Sequence, residues 1–123
     1  MSETINFSDW EKLDLRVGEI IEVDEIEGAD KLYKLKINIG EEIRTVCAGI
    51  KKYYSRDELK GKKVILLSNL APRRLKGIES QGMILAAVSK DESQVILLTP
   101  EKDVEVGSKV RWNSSLTLKM NRY

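Results

Sequence analysis

Tyr33-Lys34-Leu35-Lys36-Ile37-Asn38-Ile39-Gly40-Glu41-Glu42-Ile43-Arg44-Thr45-Val46-Cys47-Ala48 alternates apolar and polar residues, pauses at Gly40-Glu41-Glu42, and resumes as an apolar run. Alternation of this kind puts Tyr33, Leu35, Ile37 and Ile39 on one face of a pleated strand and Lys34 and Lys36 on the other, so the stretch predicts a β-hairpin with one buried side. Upstream, Leu15 to Val23 reads as a strand in which Gly18 predicts a bulge or sharp bend, and Gly28-Ala29-Asp30 as a turn. Downstream, Ser55-Arg56-Asp57-Glu58 has capping-box spacing and Gly61 follows as a helix stop, which predicts a short helix over Ser55 to Lys60. Ser8 and Glu11 repeat that spacing and predict a helical start that ends near Leu13. Lys63 to Ser68, Gln81 to Val88 and Gln94 to Leu98 supply the remaining strands, with Asp91-Glu92 as a turn and Pro100 as a stop. Strands with one helix between the third and fourth form the pattern of an all-β, five-stranded OB-fold Greek-key barrel, an architecture that binds oligonucleotides on a strand face and its adjoining loops. Residues 1–123 are expected to form one such domain, with 1–13 and 99–123 as short terminal extensions and dimerisation elements.

Between two of the apolar runs lies Asn69-Leu70-Ala71-Pro72-Arg73-Arg74-Leu75-Lys76-Gly77-Ile78-Glu79-Ser80-Gln81-Gly82-Met83. Three cations in a Pro/Gly-bounded loop between strands gain little for stability, so Arg73, Arg74 and Lys76 point to a polyanion. Asn69, Ser80 and Gln81 add neutral hydrogen-bonding groups, a mixture suited to phosphates and 2′-hydroxyls. Competing plain roles exist for several residues. Asn69 and Asp30 also suit turn capping. Met83 opens an apolar strand, Tyr33 shares the parity of the core residues, and Arg16 stands where a structural ion pair is as good an account as phosphate binding.

Net charge is only +1, yet it is segregated along the chain: residues 1–30 hold 2 basic and 10 acidic residues, 31–90 hold 14 and 5, and 91–123 hold 5 and 5. If folding gathers the middle cations on one face, the local potential attracts RNA despite near-neutrality; if it mixes them with the acids, the result is an ordinary solvated surface. Histidine is absent, which removes His-based acid/base catalysis, His-containing triads and the commonest zinc ligand. No spacing nominates a paired acid and base, so an enzyme is not expected, and neither is a metal or cofactor. The single cysteine, Cys47, lies in an apolar run as a small buried hydrophobe and excludes an internal disulfide. Residues 1–10 lack the basic start and apolar core of a signal peptide, no apolar run is long enough to cross a bilayer, and a cytoplasmic location follows as the expectation.

Asp14-Leu15-Arg16-Val17-Gly18, Ala29-Asp30-Lys31-Leu32-Tyr33, Arg44-Thr45-Val46-Cys47-Ala48-Gly49-Ile50, Asn69-Leu70-Ala71-Pro72 and Gly77-Ile78-Glu79-Ser80-Gln81-Gly82-Met83 together resemble the tRNA-binding domain found at the C-terminus of methionyl-tRNA synthetases and in related free proteins. The resemblance runs from Asp9 to about Arg111 and is strongest to the free archaeal branch, described as the β subunit of methionyl-tRNA synthetase. It implies an OB-fold core, homodimers paired through the chain ends, and recognition of the outer corner of tRNA by shape. It also implies roles around the RNA for Asn69, Arg74, Lys76, Ser80 and Met83. Three departures stand out: Lys76 replaces a usual arginine and so lacks the planar fork that grips phosphate, Ala71 replaces a common lysine, and Glu27-Gly28 replaces His-Pro.

The expected function is therefore a non-catalytic, structure-selective tRNA-binding module that assists a methionyl-tRNA synthetase chain in trans. Arg73, Arg74, Lys76 and the neighbouring Lys31, Lys34, Lys51 and Lys52 would neutralise phosphates, with Asn69, Ser80, Gln81 and Met83 completing the RNA surface. The alternative is a dimeric polypeptide-binding chaperone on the same OB-fold; the Ala29–Tyr33 and Ser80–Met83 motifs match the tRNA-binding branch better.

Overall fold

A computed structural model describes residues 2–112. The strongest pattern of the sequence is the centre of the fold: β1 (Leu15–Glu25), β2 (Tyr33–Asn38) and β3 (Ile43–Ala48) form an antiparallel meander in which Tyr33 faces Ala48, Leu35 faces Val46 and Ile37 faces Arg44. A short helix, α2 (Arg56–Leu59), separates β3 from β4 (Lys63–Leu67), following the earlier N-terminal helix α1 (Phe7–Trp10). The chain then makes a two-stranded arm, β5 (Arg73–Leu75) and β6 (Ile78–Ser80), and continues through β7 (Met83–Ile84), β8 (Ala86–Val88), β9 (Val95–Leu97) and β10 (Lys109–Val110). The main sheet runs β3-β2-β1-β4-β7, with β10 on the remaining edge of β1.

Strand β1 is long because it serves two neighbourhoods. Its first half pairs with β4, and its second half pairs with β2 across a register shift between Ile20 and Glu22. The bulge predicted at Gly18 thus falls slightly later. Gly18 is needed for a different reason: a Cβ there would stand 2.5 Å from Ile37 Cγ2, so the absent side chain lets the strands approach. At the far side, Gln81 N–H donates to Thr45 O (2.8 Å) and draws the segment before β7 against β3, so the curled sheet nearly closes on itself. The architecture is the expected all-β OB-type barrel.

The inward face carries Ile20, Leu35, Ile37, Val46 and Leu66, all essentially without solvent contact. Helix α2 plugs this barrel with fully buried Leu59. The helix is held by the capping box read from the sequence: Ser55 Oγ accepts from Glu58 N–H, and Glu58 Oε1 accepts from Ser55 N–H at 2.8 Å. The matching spacing at Ser8 does not form a box. The N-cap of helix α1 is Asn6, two residues before Ser8, and it makes no side-chain hydrogen bond. Of the expected terminal extensions, residues 113–123 lie outside the described residues. Among the described residues no helix is long and apolar enough to cross a membrane.

Candidate nucleic-acid interface

The cationic loop is a β-hairpin arm. Arg73 faces Ser80, Arg74 faces Glu79 and Leu75 faces Ile78, so only Lys76 and Gly77 remain to turn the chain. Both have positive φ (52° and 80°), the requirement of a type I′ hairpin turn. The sequence did not announce this hairpin, since its strands are three residues each and lysine replaces the Asn or Asp usual at the turn.

Such a short two-stranded ribbon is marginal alone and needs an apolar footing. Leu75 and Ile78 supply one, packing on Ile26, Ala29 and Cys47 together with Leu32. The arm therefore rests on the loop between β1 and β2 and on the outer side of β3. Cys47 is buried beneath the arm, as expected of a small hydrophobe, and that burial pushes its thiol up. A shallow depression of about 60 Å³ between Cys47, Leu70, Arg73 and Met83 marks the foot.

The arm's cations are exposed, and among the described residues none of Arg73, Arg74 or Lys76 lies within ion-pair distance of a carboxylate. Arg74 is drawn toward the tip, where its Nη1 donates to Gly77 O (3.0 Å). Elsewhere several cations are matched. Arg16 donates to both oxygens of Asp14 (3.0 and 3.2 Å) and to Glu41, which is the structural ion pair weighed in the sequence, and it holds the Asp14 carboxyl below its ordinary range. Lys51 pairs with Glu25, which raises its ammonium above the usual lysine value.

The other lysines of the predicted site lie around the arm's footing. Lys51 N–H donates to Lys31 O (3.2 Å), bringing those two loops together, and Lys52 is exposed on the adjoining turn. Lys34 faces Cys47 across the β2/β3 pair. On its other side, however, Lys34 faces Asp24, and Lys36 faces Glu22. The acidic first quarter of the sequence is thus laid beside the basic middle, so segregation along the chain is partly cancelled in space. The arm gathers three exposed cations with one acid among them, Glu79, opposite Arg74.

The neutral polar residues are engaged by backbone groups. Asn69 Oδ1 accepts from Asp14 N–H (2.9 Å) and its Nδ2 donates to Lys12 O (2.6 Å), fastening the N-terminal segment to the start of the arm. Ser80 is buried; its Oγ accepts from Cys47 N–H (3.0 Å) and donates to Gly82 O (3.2 Å). Gln81 Oε1 accepts from Thr45 N–H (3.1 Å). Two parity readings divide: Tyr33 is a core residue whose hydroxyl donates to Tyr54 O (2.9 Å), whereas Met83, read from its apolar strand as core, is 42% exposed beside the arm. Leu70, not singled out in the sequence, is exposed at the same foot.

A family model described as "Putative tRNA binding domain" matches residues 15–109, which include the whole arm and its footing. The chain belongs to this tRNA-binding domain family. The domain is 54% identical over 109 residues to the methionine–tRNA ligase of Pyrococcus horikoshii, a match covering 89% of this chain and 15% of that protein. It is 55% identical over 106 residues to the methionine–tRNA ligase of Caldanaerobacter subterraneus subsp. tengcongensis, covering 86% and 16%. The chain therefore spans about one sixth of the length of these curated relatives. Among solved structures, a MetRS-related protein from Pyrococcus horikoshii superimposes with a TM-score of 0.84 at 34% identity, covering 89% of this chain and 100% of that one. The chaperone CsaA of Bacillus anthracis gives 0.80 at 29% identity, with 89% and 100% coverage. The tRNA-binding domain family is a binding module, and the catalytic parts of the long relatives lie outside the matched region.

Proposed function

We propose that this domain binds tRNA through the arm, with Arg73, Arg74 and Lys76 neutralising backbone phosphates and Lys31, Lys34, Lys51 and Lys52 extending the contact at the footing. The observation that carries this reading is the arm itself: three exposed cations, none within ion-pair distance of a carboxylate among the described residues, raised on a hairpin from the barrel. Counterion release from phosphates then supplies affinity with little dependence on base sequence. Exposed Met83 and Leu70 offer an apolar foot for a sugar or an unstacked base. Asn69, Ser80 and Gln81 serve the same surface from beneath, holding the arm in place.

The domain does no chemistry in this reading. It acts as a tether that raises the effective concentration of tRNA at a methionyl-tRNA synthetase active site, in trans or as one part of a longer arrangement. Membership of the tRNA-binding family and the similarity to methionine–tRNA ligases support that assignment. The similarity to CsaA keeps a polypeptide-binding activity as the competing outcome. Filter binding of tRNA, a single-stranded RNA and an unfolded polypeptide at matched salt separates them: tRNA is expected to bind most tightly, and preference for the polypeptide would transfer the assignment to the chaperone reading.

A further inference from the structure

Arg44 belongs by sequence to the basic middle of the chain and counts as one more cation available to RNA. Its surroundings assign it a different task. Strand β3 places Arg44 on the same side as Val46, the barrel side, at the end where the sheet closes. One nitrogen, Nη1, donates to Ser68 O (2.7 Å) and to Gln81 O (3.2 Å). Ser68 directly follows β4 and Gln81 directly follows β6, so these carbonyls are the two feet between which the arm leaves the barrel. The opposite edge of the guanidinium is fixed by Glu42, whose Oε1 accepts from Nε (2.9 Å) and Nη2 (2.8 Å). The side chain is only 22% exposed, and its charge is matched by that carboxylate.

We infer that Arg44 is a positioning residue for RNA binding: a clasp that holds both feet of the arm at a fixed spacing, with Glu42 orienting the clasp. This rests on the proposal that the arm carries the RNA contacts. The physical case follows from the arm's weakness. Among the described residues its two strands form ladder pairs only with each other, so their orientation depends on the feet, on the contacts of Leu75 and Ile78 and on the Ser80 hydroxyl that accepts from Cys47 N–H. Close packing at the seam adds to the need for a fixed spacing, since a Cβ on Gly82 would stand 2.8 Å from Leu67 O. An arm held in place presents Arg73, Arg74 and Lys76 already arranged, and binding then avoids the entropy of ordering them. A guanidinium suits the task because its planar fork serves two carbonyls and a carboxylate together, which a lysine ammonium on a flexible stem does not.

A double-mutant cycle tests the clasp with tRNA in filter binding at low salt. R44Q is expected to weaken binding about tenfold in the otherwise native domain, and R44K to weaken it similarly although it retains the charge. In the R73A/R74A/K76A background, R44Q is expected to cause no further loss. Hydrogen exchange in R44Q is expected to speed up at the Leu75 and Ile78 amides while Leu35 and Leu66 stay protected. A full additive loss in the triple background would overturn the inference, because Arg44 would then touch RNA itself; undiminished affinity of R44Q in the native background would overturn it as well. If R44Q does not fold, E42Q decides. A clasp predicts a loss of affinity on freeing the guanidinium, whereas unchanged or tighter binding contradicts it, since the variant gains net positive charge. Failure of the underlying RNA assignment looks different: the triple variant alone would bind tRNA as tightly as the native domain.

Discussion

Lys76 sits in a left-handed backbone conformation, φ 52°, that a long side chain disfavours and that asparagine or glycine adopts readily. Keeping lysine there trades turn stability for a cation at the tip of the arm. K76N is accordingly expected to raise unfolding stability by about 0.5–1 kcal/mol in urea titrations while weakening tRNA binding several-fold; a variant that loses stability would remove the argument that the turn is strained for function. Asp14 gives a pH signature. Its carboxyl is held below the ordinary range, mainly by the hydrogen bond from Arg16, so the folded form has the lower pKa. A lowered folded pKa contributes stability that is present above the unfolded value of about 3.9 and is lost as pH falls through the folded value. The stability gap between the native domain and D14N should be widest near neutral pH and close under acid, as read by thermal melts across that range; a constant gap would contradict it. Single residues were also where the sequence was hardest to read. Arg44 shares strand parity with Val46, and that inward arginine was the available signal; nothing in the sequence shows that Asn69, Ser80 and Gln81 have their side chains engaged by backbone groups far along the chain.

At the scale of elements, legibility followed the strength of the local pattern. The β2/β3 hairpin repeats its alternation over enough residues to fix a face, and the Ser55–Glu58 box closes within one helical turn, so both appear as read. The Ser8–Glu11 spacing is equally good on paper, but the helix there is capped two residues earlier and buries no side chain that would hold the expected frame. The arm was legible as a cationic loop and not as a hairpin, because its pairing depends on a footing assembled from β3 and the β1–β2 loop. These elements separate fold from function. R73A/R74A/K76A should weaken tRNA binding by about 2–4 kcal/mol, since each phosphate contact, taken as one hydrogen bond, contributes about 1 kcal/mol, while stability stays within about 1 kcal/mol because exposed cations contribute little to folding. L59A should do the reverse, removing the barrel plug at a cost of about 2–5 kcal/mol in stability, with tRNA affinity retained in the fraction that remains folded. Denaturant titration and filter binding on the same preparations check both; a triple variant that unfolds would make the arm a structural element.

Across the whole molecule, a nearly neutral domain binds a polyanion only if its charges are sorted in space. Folding does this unevenly. Acids of β1 stand opposite the lysines of β2, Glu25 neutralises Lys51, and Arg16 and Arg44 are turned to structural pairs. The arm gathers three exposed cations that, among the described residues, form no ion pair. A second large-scale feature lies away from it: exposed Phe7, Leu13 and Trp112 border a cleft of about 510 Å³ between α1 and β10, and Phe7 and Trp112 meet edge to face at 5.8 Å. Covering such a surface with a second copy is the expected route to a homodimer. Light scattering at micromolar concentration should give about twice the 14.0 kDa chain mass, and a stable monomer would contradict that expectation. The central claim, that the arm's cations neutralise tRNA phosphates, is tested most directly by the salt dependence of binding. For the native domain log K should fall against log salt with a slope of roughly −3 to −4, as for about four phosphates, and R73A/R74A/K76A should bring the slope to roughly −1; an identical slope in the two proteins would contradict the claim.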